Sequence, residues 1–544
     1  MTAFISKFII KLDKPLWGLS FFYICSVALL WNSSGTSLVD DSLGILNNFQ
    51  KTGWSDFLNS YGMTSLYFLH DAFSNLMFSF IGKSNLIWYL FMLVFHSSAA
   101  YFFYRFCFVM LTNDKNRNSR WISLFSSVLF LLSAYLVENL MWLATYHYAV
   151  TILYIMYTLC YIAVRNGKLN GVQKIALMAS YAAMLTMHEI ILIFPLAFLA
   201  LMFYFRLHKE TKINKWELLS LGFAFFFFDL IYFGLTKYLK GSYIPHYGED
   251  HTTFNGIYSL GYTFYQYLAK YILFIHKYNF SIREKIYDVD RTTIMICIGV
   301  LSGLISGLIA YYKPNLRANK LPILIALFLL IFYMPISNMY FNWHFLYIND
   351  RLGYFFSPFL YFLFVYFLFK LDIKIAVGLC SIFLALNYII LRISIIEINE
   401  SKYFTENILT KSYVNYLDKS PYILNLPFSY KGFYSLRKTH RLNSLMYFFH
   451  SKDINYRYTT SMPFFRSTDS IEIKRMADSI FHIELRAPES WLMKESLGGS
   501  DYENEEVKVN YADDNQSAMI YLKNYDRSQP ILYCTGSRGF VEYK

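Results

Sequence analysis

Charge is what this chain lacks most. Only 16% of its 544 residues are Asp, Glu, Lys or Arg, against 56% that are hydrophobic, where a soluble domain carries about a quarter charged. A chain this apolar must bury its surface in something larger than its own core, and a lipid bilayer is the solvent that accepts it. Cysteine is sparse too: Cys25, Cys107, Cys160, Cys297 and Cys380 fall in apolar runs, where a thiol acts as a small hydrophobe. Cys534 stands alone in the C-terminal part, which excludes a disulfide within it. No metal-ligand spacing, nucleotide-binding loop, G-x-S-x-G elbow or H-E-x-x-H helix occurs, since His188-Glu189 has no second His. ATP-driven and cytosolic hydrolytic chemistry therefore have nothing to stand on. Internal repeats, heptads and low-complexity segments are missing as well. Lys7, Lys11 and Lys14 precede an apolar run that has no small-residue cleavage site, so this start reads as a retained anchor.

What is present is apolar length. Runs that could span a bilayer lie at about 15–32, 86–111, 121–137, 142–164, 174–189, 190–206, 217–236, 292–312, 321–338, 352–370 and 375–394, about eleven transmembrane helices. His188-Glu189 divides the stretch 174–206, which is too long for one crossing. Basic residues supply the orientation. They gather in alternate loops: Lys115, Arg117 and Arg120; Arg165, Lys168 and Lys174; Arg206, Lys209, Lys212 and Lys215; Lys313, Arg317 and Lys320; Lys370 and Lys374. The short loops between are almost free of them. This phase puts the N-terminus in the cytoplasm and the tail outside, and it explains the net charge of +12 without nucleic acid as a partner. Aromatic residues are abundant, with 53 Phe and 49 Tyr, as a low-GC genome produces and as membrane interfaces tolerate.

Residues 1–394 thus read as a membrane domain and 395–544 as a small soluble extracytoplasmic domain, α/β or mostly β. Tyr422 to Pro427 reads as a strand ending in a turn, and 481–487, 505–511, 517–523 and 530–535 as further strands. Two outer loops are long, about 33–85 and 237–291. The second contains Tyr267 to Ile275, too short to span and suited to an interfacial or re-entrant helix.

Ionisable groups beside spanning helices are expensive and mark candidate sites. Asp40 and Asp41 follow the first helix; Glu138 lies in an outer turn, with His147 about two turns below; His188 and Glu189 lie in the next outer turn; Asp350 and Arg351 open a late helix. All fall on the outer side. Capping and snorkelling account equally well for any single one, and His70 and His96 read as satisfied packing residues. Asp40 and Asp41 are harder to dismiss, because adjacent carboxylates repel and raise one another's proton affinity.

Taken in order, these features resemble the GT-C membrane glycosyltransferases that use polyprenyl-phosphate sugars, over roughly residues 15–395. Asp40-Asp41 matches the position of that class's acidic loop motif. Trp88 to Tyr104, with His96, is similar to its second helix, and Leu129 to Trp142, with Glu138, to its third helix and turn. Met187-His188-Glu189 then Pro195 resembles a segment where Lys usually precedes the Glu, a departure at His188. Asp350-Arg351-Leu352-Gly353-Tyr354 then Pro358 is similar to its Arg-x-x-Tyr motif, and Leu424 to Pro427, then Gly432 and Arg437, to a segment of bacterial members.

The resemblance implies a multi-pass protein of the cell (inner) membrane. It implies a donor sugar on a polyprenyl phosphate, undecaprenyl phosphate in a bacterium, and a glycan, lipid-linked glycan or protein acceptor. Asp40 or Asp41 would be the base, and Arg351 would meet the leaving phosphate with help from His188 or Lys237. Glu138, His147, Glu189, Asp350 and Tyr354 would line the substrate site. A divalent cation, Mg or Mn, could bridge Asp40, Asp41 and the phosphate, and the sequence neither requires nor excludes it. Lys270, His276 and Lys277 could meet phosphate in the interfacial stretch near 254–277, which reads equally well as an amphipathic helix resting on the bilayer. The alternatives are an O-antigen-type polymerase and a non-enzymatic lipid-linked glycan transporter.

Overall fold

The computed structural model describes residues 12–29, 33, 35, 68–207, 215–241, 256–274, 292–293, 296, 320–337, 353–436, 441–486, 489–494 and 499–544. Its helices are α1 (Pro15–Leu29), α2 (Phe68–Ile81), α3 (Asn85–Asn113), α4 (Ser119–Leu131), α5 (Val137–Met141), α6 (Tyr146–Val164), α7 (Gly171–Leu185), α8 (Phe194–Leu207), α9 (Lys215–Lys240), α10 (Gly256–Leu273), α11 (Lys320–Ser337), α12 (Ser357–Leu368), α13 (Ile373–Tyr403) and α14 (Arg441–His450). Five stretches among the described residues are long and apolar enough to cross a bilayer: Asn85–Asn113, Tyr146–Val164, Glu189–Arg206, Leu219–Leu239 and Ile373–Tyr416. Shorter apolar helices cover Pro15–Val27, Ser119–Leu131, Lys320–Ile336 and Ser357–Leu368. The chain is therefore a helical membrane-type bundle with a sheet-bearing tail. The expected run at 292–312 lies almost wholly outside the described residues.

Sequence explains the helix ends. Asn170 caps α7 in a reciprocal box with Gln173, at 2.9 and 3.0 Å, and Asp372 caps α13 through Lys374 N at 2.9 Å. The expected division at His188 is present: α7 stops at Leu185, and a 3-10 turn Glu189–Ile193 leads into α8. Gly18 lets α1 approach α3, because any side chain there would run into the Tyr101 ring.

The bundle has two distinct ends. At 1.5 Å per residue, the 29 residues of α3 separate them by roughly 42 Å. Its Asn113 end meets the basic loops: Asn113 donates to Asn166 at 3.0 Å, Tyr204 to Asp114 at 2.8 Å, and Asp13 holds Arg105 and Arg120 at 3.6 Å each. Its Asn85 end meets the tail: Asn85 donates to Glu406 at 3.4 Å, and Trp88 is buried in the tail's core. Phe428, Phe433 and Tyr434 of the tail enter the core of the bundle in return.

The tail does not begin with a linker. α13 continues through a π-helical turn Phe404–Leu409 and further helical turns to Tyr416. The tail then combines two sheets. In the first, β1 (Tyr422–Tyr430) is flanked by parallel β3 (Arg457–Phe464) and β9 (Ile531–Thr535), with β2 (Phe433–Tyr434) and β10 (Gly539–Glu542) beside them. α14 is the crossover between β1 and β3, as parallel pairing requires. Every residue of β1 is buried, which its unalternating sequence reflects. Asn425 clamps β9, accepting from Cys534 N at 2.8 Å and donating to Cys534 O at 3.0 Å. The second sheet is antiparallel, in the order β4 (Ile471–Ala477), β5 (Ile480–Leu485), β8 (Ser517–Leu522), β7 (Val507–Tyr511), β6 (Tyr502–Glu503). The strand expected to end at Pro427 runs on to Tyr430. The proline is accommodated at a shift in register between Pro427 and Ser429.

Candidate functional site

Asp40, Asp41, Asp350 and Arg351, and with them the expected cation position, lie outside the described residues. Among the described residues, no group of three or more His, Cys, Asp or Glu is arranged to hold a metal ion. Of the remaining candidates, Glu138, His147, His188 and Glu189 fall into two polar groups at the tail-covered end of the bundle, joined by one short peptide that carries Tyr354.

The first group is a row of imidazoles. His70 opens α2, His147 opens α6, and His188 occupies the turn before α8. The His70 and His147 ring centres are 4.7 Å apart, edge to face. Those of His147 and His188 are 4.9 Å apart and stacked. His70 Nδ1 is 2.9 Å from the Asp71 carboxylate, and Tyr146 donates to the His70 carbonyl. Ile190 N donates to His188 Nδ1 at 3.0 Å, so in the neutral ring the proton sits on Nε2. Tyr148 packs on His188 with ring centres 4.5 Å apart. Glu189, buried beside this turn, interacts electrostatically with Tyr232 of α9.

The second group surrounds Glu138. This carboxylate is 3% exposed on the single-turn helix α5, at whose N-terminus a negative charge is favoured. It attracts Lys270 of α10, which is fully buried. The Lys270 ammonium lies 5.4 Å from the centre of the Tyr135 ring, and Tyr135 packs on Tyr271 at 5.0 Å. The stretch expected to lie at the interface is thus a helix, Gly256–Leu273, with one face sunk into the bundle.

The peptide Gly353–Phe356 threads between the two groups. Gly353 packs against the Tyr271 hydroxyl so tightly that a Cβ would sit 2.8 Å from Cζ. Tyr354 donates to His96 Nδ1 at 2.6 Å, and His96 Nε2 in turn meets the Leu131 carbonyl at 3.1 Å. Phe355 packs on Tyr148 and His188, at 5.5 and 5.7 Å between ring centres. Phe356 stacks among Tyr267, Tyr271 and Tyr333. Tyr354 is fully buried, which makes it a support of the site from beneath. Lys237 serves its own helix: it donates to the Gly241 carbonyl at 2.8 Å and so closes the end of α9.

The sequence marks His70 as a packing residue, yet it completes the imidazole row. Its one sequence signal is position, at the close of the long segment 33–85 that also carries Asp40 and Asp41. Above the groups lies the tail. Trp142, next to α5, packs on Tyr434 with ring centres 5.1 Å apart. Lys83, in the turn between α2 and α3, donates to the Phe448 carbonyl at 2.6 Å and lies over the Phe448 ring at 4.2 Å. Burial draws the Lys83 ammonium below its ordinary value. The chain matches no family model, no curated protein and no solved structure.

Proposed function

We propose that this protein transfers a sugar from a polyprenyl-phosphate donor to a hydroxyl of a glycan, lipid or protein acceptor at the outer face of the cytoplasmic membrane, by inverting single displacement. One observation carries the reading most. Gly353–Phe356, which packs against both the imidazole row and the Glu138–Lys270 group, begins two residues after Arg351. The Asp350-Arg351 pair thus leads in sequence directly into a peptide that both polar groups share. The opposite placement of the basic loops and the tail supports a cytoplasmic N-terminus and an outer tail. About eleven crossings would then complete the membrane domain.

In the proposed reaction the acceptor oxygen attacks the anomeric carbon, and Asp40 or Asp41 takes its proton. The bond from that carbon to the phosphate oxygen breaks, and its electron pair stays on the lipid phosphate. Arg351 meets the growing charge with a planar pair of donors, and His188 and His147 line the approach. The test compares surface glycans and lipid-linked oligosaccharides, by mass spectrometry, from cells with the native gene, without it, and with Arg351→Ala or the pair Asp40→Asn and Asp41→Asn. Loss of one sugar per repeat, in the deletion and in Arg351→Ala, is the expected result. Repeats that stay intact but fail to lengthen would instead indicate a polymerase. Unchanged glycans in both Asn variants, at normal protein level, would remove those carboxylates as the base.

A further inference from the structure

A groove outside the candidate site lies where α13 meets the tail. It has a volume of about 420 Å³ and is lined by Ile396, Asn399, Glu400, Tyr403, Lys431 and Ser467, among others. Ligand pockets commonly hold a few hundred Å³. Its level relative to a bilayer follows from α13 itself. Lys374 and Arg392 bound an uncharged stretch, and a 30 Å hydrocarbon core takes about 20 helical residues, which from Lys374 ends near residue 394. Ile396 thus stands at the hydrocarbon boundary, with Asn399, Glu400 and Tyr403 in the headgroup layer.

The outer face of α13 leads into this groove. Leu379, Ile382, Leu386, Ile389, Ile393 and Ile396 are all exposed, at alternating spacings of three and four. That spacing is one continuous seam along a helix, and Glu400 and Tyr403 continue it. The seam is apolar as far as Ile396 and polar beyond. A molecule that follows it has a hydrocarbon chain below and a polar head above.

The charges in the groove specify the head. Glu400 and Lys431 pair across it with their side chains 46% and 30% exposed. A half-exposed ion pair contributes little, so a ligand that gives each partner a new counter-charge replaces it at small cost. Lys431 sits in the tight turn between β1 and β2 at φ 49°, a backbone conformation that favours Gly or Asn. A head carrying only phosphate would meet Lys431 but be repelled by Glu400. A head with one phosphate and one ammonium suits both, and Tyr403, which is 60% exposed, adds a ring face for the ammonium.

We propose that this groove binds a zwitterionic phospholipid with a primary amine headgroup, its phosphate on Lys431, its ammonium on Glu400 and Tyr403, and an acyl chain along the α13 seam. This inference does not depend on the proposed glycosyl transfer. The experiment is native mass spectrometry of the full chain released from nanodiscs of equal parts phosphatidylethanolamine and phosphatidylglycerol. The unaltered chain should retain phosphatidylethanolamine at least tenfold more than phosphatidylglycerol. Glu400→Gln and Lys431→Met should each reduce that preference about tenfold. Equal retention of the two lipids by the unaltered chain would overturn the proposal without reference to any variant. So would preferred retention of phosphatidylglycerol, or a preference that survives both substitutions.

Discussion

His96 and Tyr354 show what a single pair of residues does here. His96 is fully buried within α3, and its two nitrogens are engaged by a carbonyl and a hydroxyl. The carbonyl can only accept, so Nε2 carries the hydrogen and Nδ1 accepts from Tyr354. Replacing Tyr354 by Phe keeps the ring and deletes the donor, leaving Nδ1 buried with one partner fewer. The expected cost is about 1–3 kcal/mol, read as a lower melting temperature in detergent, and a melting point equal to that of the native chain would show that this bond contributes nothing. The packing role of His96 is legible in the sequence. Its partner is not, because nothing local connects positions 258 residues apart. The imidazole row is hidden for the same reason: His70, His147 and His188 have no motif spacing and meet only once three helix ends converge.

At the scale of elements, the loop entering α12 is held by a close approach. Gly353 has no side chain, and the Tyr271 ring of α10 fills the space a Cβ would need. Gly353→Ala must push the two elements apart, at about 1–3 kcal/mol for overpacking. Tyr271→Phe removes the hydroxyl that makes the nearest contact, so the double variant should recover part of the loss. Additive losses in the thermal unfolding of the single and double variants would mean that the clash is relieved elsewhere. Element boundaries are legible where chemistry marks them, as at His188 and Asn170. They are lost where tertiary structure overrides composition. α13 carries Arg392, Glu397 and Glu400, which read as the end of a membrane helix, yet the helix continues because the tail packs along it. β3 and β4 leave no clear pattern because Pro463 and the charged run Glu472–Arg475 obscure their alternation.

At the scale of the whole molecule, bundle and tail share their cores. Trp88 and Leu143 of the bundle sit in the tail's core, and Phe428, Phe433, Tyr434 and Met493 of the tail sit in the core of the bundle. Composition alone suggests two domains, because it measures what surrounds a segment and not what it touches. The interlock implies one cooperative unit, in which damage on the bundle side loosens strands in the tail. Trp142 gives the sharpest test. It is fully buried, packs on Tyr434, and lies next to Glu138 in the turn below the tail. Trp142→Ala should cost about 3–5 kcal/mol. If the cores are coupled, hydrogen exchange should quicken at Ile423, Leu424 and Leu532, central residues of β1 and β9 that do not belong to the Trp142 cluster. Faster exchange confined to α5 and the start of α6 would instead mean that the tail is stable without the bundle beneath it. Because that turn also carries Glu138, coupling would have a functional consequence: a change in the tail's packing would reach the proposed sugar-transfer site through Tyr434 and Trp142, with no linker to absorb it.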